Sequence, residues 1–290
     1  MKFGVNTFLW TVNFGSEHFQ LLPEIREHGF DGIEVALIRL GDFQAAPIRR
    51  ALEQHQLSAT VCSVLPGELS LISEDASIRK RTIAHLSDCI QATAEAGAEL
   101  MAGPLYSPVG YLTGCRRTTD EWMRVVEAYQ QIGPTLDAYD VELCLEPLNR
   151  FETYFLNTTA DAVQLCDEIG HPRIGILWDT FHANIEEKDS AQALLSAGRF
   201  LKHFHASEND RGTPGTGHVP WENVFSALHK LGYDGWVTIE SFGFALGDLC
   251  AAASIWRDLA PKSEDIAWEG VQFLKAVSRA EPHVSASRVL

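Results

Sequence analysis

The chain has 290 residues, and 39 Asp and Glu against 23 Lys and Arg give a formal net charge of −16. Its 46% apolar and 10% aromatic content is enough for a large packed core and excludes a disordered chain. The acidic balance counts against nucleic acid and anionic membrane surfaces, which need clustered Lys and Arg, and favours a neutral ligand or a metal ion.

Eight short apolar runs recur along the chain, at residues 3–7, 32–37, 59–65, 100–104, 141–146, 174–179, 201–207 and 236–241. Each is bounded by turn residues and rich in Val, Ile, Leu and Phe, as strands buried on both faces are. The segments between them have helical period. Residues 75–97 and 119–139 form two long ones. In the next, Ala162, Val163, Leu165, Cys166 and Ile169 make one apolar stripe, with Thr158 as the expected N-cap and Gly170 at the C-terminal end. Pro220 opens another, with Val224, Ala227, Leu228 and Leu231 at helical spacing and Gly232 closing it.

Strand followed by helix, eight times over, predicts an α/β fold of one kind, a single closed parallel (β/α)8 TIM barrel; a doubly wound sheet is the runner-up. No linker or low-complexity stretch interrupts it, so one domain is expected over residues 1–282, with a loosely ordered tail at 283–290. The apolar stretches are far shorter than the ~20 residues of a membrane span, and the N-terminus starts on a strand-like run without signal-peptide character. Cys62, Cys89, Cys115, Cys144, Cys166 and Cys250 are too widely spaced for a zinc ribbon or CxxC pair. Several, such as Cys144 and Cys166 in apolar runs, read as small buried hydrophobes, and the protein as reduced and cytoplasmic.

Catalytic groups of such a barrel project from the carboxyl ends of its strands. Runs five to eight carry Glu146, Asp179, His205 and Glu240 there, separated by 33, 26 and 35 residues, about one βα unit each. One such residue is as easily a helix cap as a functional group. Three carboxylates meeting at one barrel mouth would repel one another unless a cation lay between them. Three oxygen donors and an imidazole suit Mn²⁺, Mg²⁺ or Co²⁺ better than zinc. His203 shares the parity of His205, one layer deeper, and reads as a satisfied core histidine. Arg150 and Glu152, His182, and the run from Ser207 to Arg211 follow these strands and can hydrogen-bond a polyhydroxylated ligand. The glycine-bearing stretch 212–217 lacks the P-loop spacing and its Lys, and reads as a shaped loop at the mouth. No GxSxG elbow supports serine hydrolysis.

The blocks Leu145-Glu-Pro-Leu-Asn-Arg-Phe-Glu152, Trp178-Asp-Thr-Phe-His-Ala-Asn-Ile-Glu-Glu187, His203-Phe-His-Ala-Ser-Glu208 and Ile239-Glu-Ser-Phe242 resemble the signatures of the ketose 3-epimerases. This is the D-tagatose and D-psicose (D-allulose) 3-epimerase family of the xylose-isomerase-like barrels, and the resemblance is strongest from Val141 to Phe242. It implies that Glu146, Asp179, His205 and Glu240 bind a divalent metal, manganese first, with cobalt or magnesium as alternatives. It further implies that Glu146 and Glu240 are the catalytic acid and base, and that Glu152, His182 and Arg211 bind the sugar near C1 to C3. The implied reaction inverts C3 of a free ketohexose or ketopentose through an enediolate, with the metal as Lewis acid and without a redox cofactor.

Asn6, the Tyr106-Ser-Pro108 stretch and Ser241 depart from the family pattern. They are expected around the distal end of the sugar, with Phe8, Trp10 and Tyr111 as an apolar wall. Competing readings on the same metal scaffold are an aldose–ketose isomerase of the hydroxypyruvate isomerase kind, or an inosose isomerase or dehydratase. The apurinic endonucleases share the barrel but need more His ligands and a basic face. The resemblance also implies a homodimer or homotetramer, for which Trp256, Trp268 and Phe273 offer apolar surface; a packed last helix explains these residues equally well.

Overall fold

In the computed structural model, which describes residues 1–242 and 253–280, alternating strands and helices close into one barrel. The parallel strands are β1 (Lys2–Asn6), β2 (Gly32–Leu37), β3 (Ser58–Ser63), β4 (Leu100–Gly103), β5 (Glu142–Leu145), β6 (Ile174–Asp179), β7 (Leu201–Ala206) and β8 (Trp236–Ile239). Each pairs with its neighbour in sequence, and β8 pairs with β1 to complete the ring. The helices are α1 (Leu22–Glu27), α2 (Ala45–Gln54), α3 (Ala76–Glu95), α4 (Thr119–Tyr139), α5 (Thr159–Ile169), α6 (Thr180–Glu186), α7 (Ser190–Ala197), α8 (Trp221–Lys230) and α9 (Ser263–Arg279). The predicted tail at 283–290 and Cys250 lie outside the described residues.

Strand alternation divides the barrel into two cores. Outward-facing Val5, Ile33, Val61, Leu143, Ile176, Phe204 and Val237 join Ile25, Ile48, Ile90, Ile132, Leu165 and Val224 of the surrounding helices in one apolar cluster. The inward-facing residues are different. A small apolar group, Leu100, Ala102, Cys144 and Leu177, fills one side of the lumen. The rest is polar and buried: Asn6, Glu34, Thr60, His203, His205 and Thr238. Such groups are stable there only when hydrogen-bonded to one another, which makes the lumen a specified network.

Local chemistry explains the elements as expected from sequence. Thr158 caps α5 by accepting from Asp161 N, and Gly170 ends it with φ +70°. Thr118 and Glu121 form a capping box at the start of α4. At the end of β4, Gly103 takes φ +138°, and a Cβ there would lie 2.1 Å from Ser63 O. Only glycine lets β4 approach β3 so closely while its carbonyl accepts Glu146 N at 3.1 Å. Trp268 of α9 stacks on His28 at 4.2 Å, and Phe273 packs against Trp221 at 6.1 Å, so both serve intramolecular packing. Trp256 is 77% exposed.

Candidate active site

Four strand ends bring Glu146, Asp179, His205 and Glu240 together, buried, with one ligand atom of each within 4.8 Å of the others. The register places Asp179 beside His205, and Glu240 N reaches Ala206 O. Tyr106 fixes the turn after β5 by donating its hydroxyl to the Glu146 carbonyl at 3.0 Å. Asp179 serves twice: Oδ1 caps α6 at Phe181 N, 2.6 Å away, and Oδ2 turns to the cluster. A helix cap and a functional carboxylate are therefore compatible in one residue.

Arg211 is the buried cation of the site. It has φ +66°, and Nη1 donates to Asp179 Oδ2 at 2.8 Å, Glu240 Oε2 at 2.8 Å and Ser207 Oγ at 3.0 Å. Its guanidinium lies 3.9 Å from the centre of the Phe181 ring. Burial works to raise the Glu240 pKa, but His205 and Arg211 outweigh it and hold the group at about 2. Glu146 goes the other way: burial first, then repulsion from Glu240, push it well above the carboxylate range. Burial and Glu240 likewise raise Asp179 against the pull of Arg211.

Glu146 Oε1 and His205 Nδ1 are buried atoms with no hydrogen-bond partner among the described residues. An orphaned carboxylate oxygen and an orphaned imidazole nitrogen inside a set of three carboxylates fit a divalent cation of the Mn²⁺, Co²⁺ or Mg²⁺ kind.

The substrate-binding residues expected from sequence lie beside this cluster. Asn149 N–H donates to His182 Nδ1 at 3.0 Å, and Nε2 lies 3.6 Å from Glu146 Oε1 and 3.2 Å from Arg211 Nη2. Burial, followed by the neighbouring guanidinium, keeps His182 neutral. Glu152 accepts from Asn149 Nδ2 at 2.8 Å, and burial raises its pKa. Glu146, Glu152, His182, Arg211 and Glu240 line one cleft, closed on its other side by Phe8, Ile38, Cys62, Val64, Pro104, Val109 and Phe242.

Several expectations are corrected by the geometry. Asn6 is absent from the described lining of the cleft because its amide donates to Glu34 Oε1 in the lumen, at 2.9 Å. Tyr106 sits behind β5, and Ser241 donates to the Arg211 carbonyl at 2.6 Å, so both brace the cleft from outside it. Trp10 packs toward Trp268 and half-exposed Tyr111 toward Tyr154, which leaves Phe8 as the lining member of that trio. Arg150 forms an exposed pair with Glu186 at 2.9 Å. Glu208 spends its carboxylate on Asn209 N, Gly215 N, Val219 N and Trp221 Nε1, thereby pinning the loop that contains residues 212–217. Cys62, Cys89, Cys144 and Cys166 are buried free thiols as expected, whereas Cys115 is exposed.

Sequence reasoning passed over Glu34. It is fully buried in the lumen, within 2.6 Å of both His203 and His205. The signal was present: a charged residue of inward parity inside the apolar run Gly32-Ile-Glu-Val-Ala-Leu37.

Comparison with known proteins agrees with this architecture. A family model described as xylose isomerase-like TIM barrel matches residues 22–277. A probable ketose 3-epimerase of Synechocystis sp. is 38% identical over 275 residues, covering 95% of this chain and 96% of that protein. A D-psicose 3-epimerase of Ruminiclostridium cellulolyticum is 31% identical, covering 91% and 92%. Among solved structures, an L-ribulose 3-epimerase superposes with a TM-score of 0.91 at 28% identity, covering 99% of both chains. A D-psicose 3-epimerase with D-tagatose, from Clostridium cellulolyticum H10, gives 0.88 at 28% identity, covering 97% and 100%.

Proposed function

Because the chain belongs to the ketose 3-epimerases of the xylose isomerase-like TIM barrel family, we propose that it is a metal-dependent enzyme inverting C3 of a free ketose. The observation that carries the mechanism is the pair of buried carboxylates, Glu146 and Glu240, that reach one cleft from β5 and β8 beside His205 and Arg211. Inversion at carbon needs a proton taken from one face and another delivered to the opposite face. Two carboxylates approaching from different strands supply both groups without a redox cofactor. Glu146, Asp179, His205 and Glu240 would hold the divalent metal, manganese first, which when bound supplies Lewis acidity toward the carbonyl and hydroxyl oxygens at C2 and C3.

The protein's own groups do the rest. One Glu removes the C3 proton, and the other protonates the resulting enediolate carbon from the far side. His182 Nε2 and Arg211 Nη2 are the polar atoms available to sugar oxygens, with Arg211 Nη2 as donor, and Glu152 is the acceptor for a hydroxyl. The apolar side of the cleft excludes water from the carbanionic carbon. We further propose a cytoplasmic homodimer or homotetramer, for which exposed Trp256 offers apolar surface and light scattering reads the mass directly.

The test is proton exchange in D₂O, followed by NMR, with manganese-loaded protein and fructose, psicose, tagatose, sorbose, ribulose and xylulose. Deuterium at C3 of the epimeric ketose is the expected result, and it should be abolished by Glu240→Gln. Label at C1 with aldose product would make the enzyme an aldose–ketose isomerase, and exchange with none of the ketoses would overturn the proposal.

A further inference from the structure

Glu34 sits below the four strand-end residues in the lumen, and the reaction as derived gives it no part. Its carboxylate is fully buried and accepts four hydrogen bonds. Asn6 Nδ2 at 2.9 Å and His205 Nε2 at 2.6 Å reach Oε1, while Thr60 Oγ1 at 2.9 Å and His203 Nε2 at 2.6 Å reach Oε2. These four contacts use the full acceptor capacity of a carboxylate. Asn6 and Thr60 stand beside Glu34 in register on the flanking strands, so β1, β2 and β3 hold the group in one orientation.

We infer that Glu34 is a positioning residue that fixes the ring plane of His205, holding Nε2 against its own carboxylate so that Nδ1 faces the cluster of Glu146, Asp179 and Glu240. The inference rests on the metal reading proposed above. An ionised carboxylate only accepts, so His205 Nε2 donates to Glu34 and Nδ1, on the other side of the ring, points to the strand-end carboxylates. That nitrogen is buried without a hydrogen-bond partner, 3.5 Å from Glu240 Oε1.

His205 therefore stands between carboxylates on two sides. A proton on Nδ1 would be attracted by Glu240 and would block the nitrogen as a ligand. Glu34, His203 and His205 are also close enough together to suggest a second cation site. That reading fails because both Nε2 atoms spend their protons on Glu34, leaving no nitrogen lone pair directed between the three residues.

The experiment compares Mn²⁺ binding by titration calorimetry in EDTA-stripped wild-type, Glu34→Gln and Thr60→Val proteins, with melting temperatures alongside. Loss of a partner that orients a ligating histidine weakens metal binding by about 10–100-fold, the effect expected for Glu34→Gln. Thr60→Val removes one of the four donors that hold Glu34, so it should lower the melting temperature and weaken Mn²⁺ binding by less than Glu34→Gln does, under about tenfold. A folded Glu34→Gln protein that binds Mn²⁺ like wild type, or Thr60→Val weakened equally, would overturn the inference.

Long-range ¹H–¹⁵N NMR of the stripped wild-type protein decides the question even if Glu34→Gln does not fold. A protonated Nε2 on His205 is expected, and a bare Nε2 refutes the assignment. Wild-type protein that takes up neither Mn²⁺ nor Co²⁺ would instead refute the metal reading on which the inference stands.

Discussion

Replacing Arg211 by methionine should make the metal-free protein markedly less stable, and increasingly so as the pH rises. The guanidinium is buried and donates at 2.8 Å to both Asp179 and Glu240, while its face lies on Phe181. Methionine keeps much of the apolar contact and removes the charge, so the loss isolates electrostatics. Deleting one partner of a buried ion pair costs about 3–5 kcal/mol, because the remaining charge is left uncompensated. A chain of 290 residues unfolds with an entropy of roughly 0.6 kcal/mol/K, so the variant should melt about 5–8 °C lower.

Burial and mutual repulsion already raise Glu146 and Asp179 above their ordinary values, and removing the cation raises all three carboxylates further. A carboxylate whose folded pKa is raised penalises the folded state once the pH exceeds its unfolded value of about 4.3, and the penalty grows until the folded group ionises. The deficit of Arg211→Met should therefore be smallest near pH 5 and larger at pH 8. Scanning calorimetry in EDTA at low salt measures both effects. Melting within about 2 °C of wild type at pH 8 would refute the assignment of Arg211 as the charge that holds the carboxylates together.

Three further outcomes follow from the same geometry. Glu146→Gln and Glu240→Gln should each lower epimerisation by about 10²–10⁴-fold or more. Each should still exchange the C3 proton of one epimer, a different one for each variant, which NMR in D₂O distinguishes. Adding Mn²⁺ to stripped protein at about 100 times its Kd should stabilise it by about 2.7 kcal/mol, or raise Tm by about 4 °C, and EDTA should reverse the shift. Gly103→Ala should lower the urea-derived unfolding free energy by about 2–5 kcal/mol through a φ of +138° and the encounter with Ser63 O. Because the Gly103 carbonyl holds Glu146 N, its activity should fall with its stability.

The barrel was legible because both of its signals are local: apolar runs that bury a strand on two faces, and caps such as Thr158 and Gly170. The four strand-end residues were legible because each is a polar group terminating an apolar run. Glu34 carries the same kind of signal, but in the middle of its run, where only the lumen formed by eight closed strands gives the charge its partners. The partners of Glu34 come from β1, β3 and β7, up to 171 residues away, and no spacing in the chain announces them. The distal wall was misplaced for a related reason. Asn6 stands at the end of β1 like the four strand-end residues on β5 to β8, yet its amide is turned down into the lumen by Glu34. Parity tells which side of the sheet a residue occupies; the hydrogen-bond partner decides whether it points to the cleft or the core.

Charge in the cleft also bears on the kind of ketose admitted. Glu146, Glu152 and Glu240 line it, Asp179 lies against them, and Arg211 is the one cation among the described lining residues. Its Nη1 already donates to Asp179 and Glu240, so its charge is paired with two carboxylates before any anion enters. The apolar lining residues Phe8, Ile38, Val64, Val109 and Phe242 offer no donor side chain. A divalent ion would offset part of the excess negative charge, yet a phosphate dianion on the sugar would restore it against an apolar wall. Desolvating that dianion without a paired cation opposes binding far more than the hydroxyl it replaces. A ketose 6-phosphate should accordingly show kcat/KM at least about 100-fold below the free ketose, equivalent to about 2.7 kcal/mol. Parallel assays of fructose and fructose 6-phosphate measure the ratio, and equal or faster turnover of the phosphate would show that the cleft presents a cation this charge distribution does not contain.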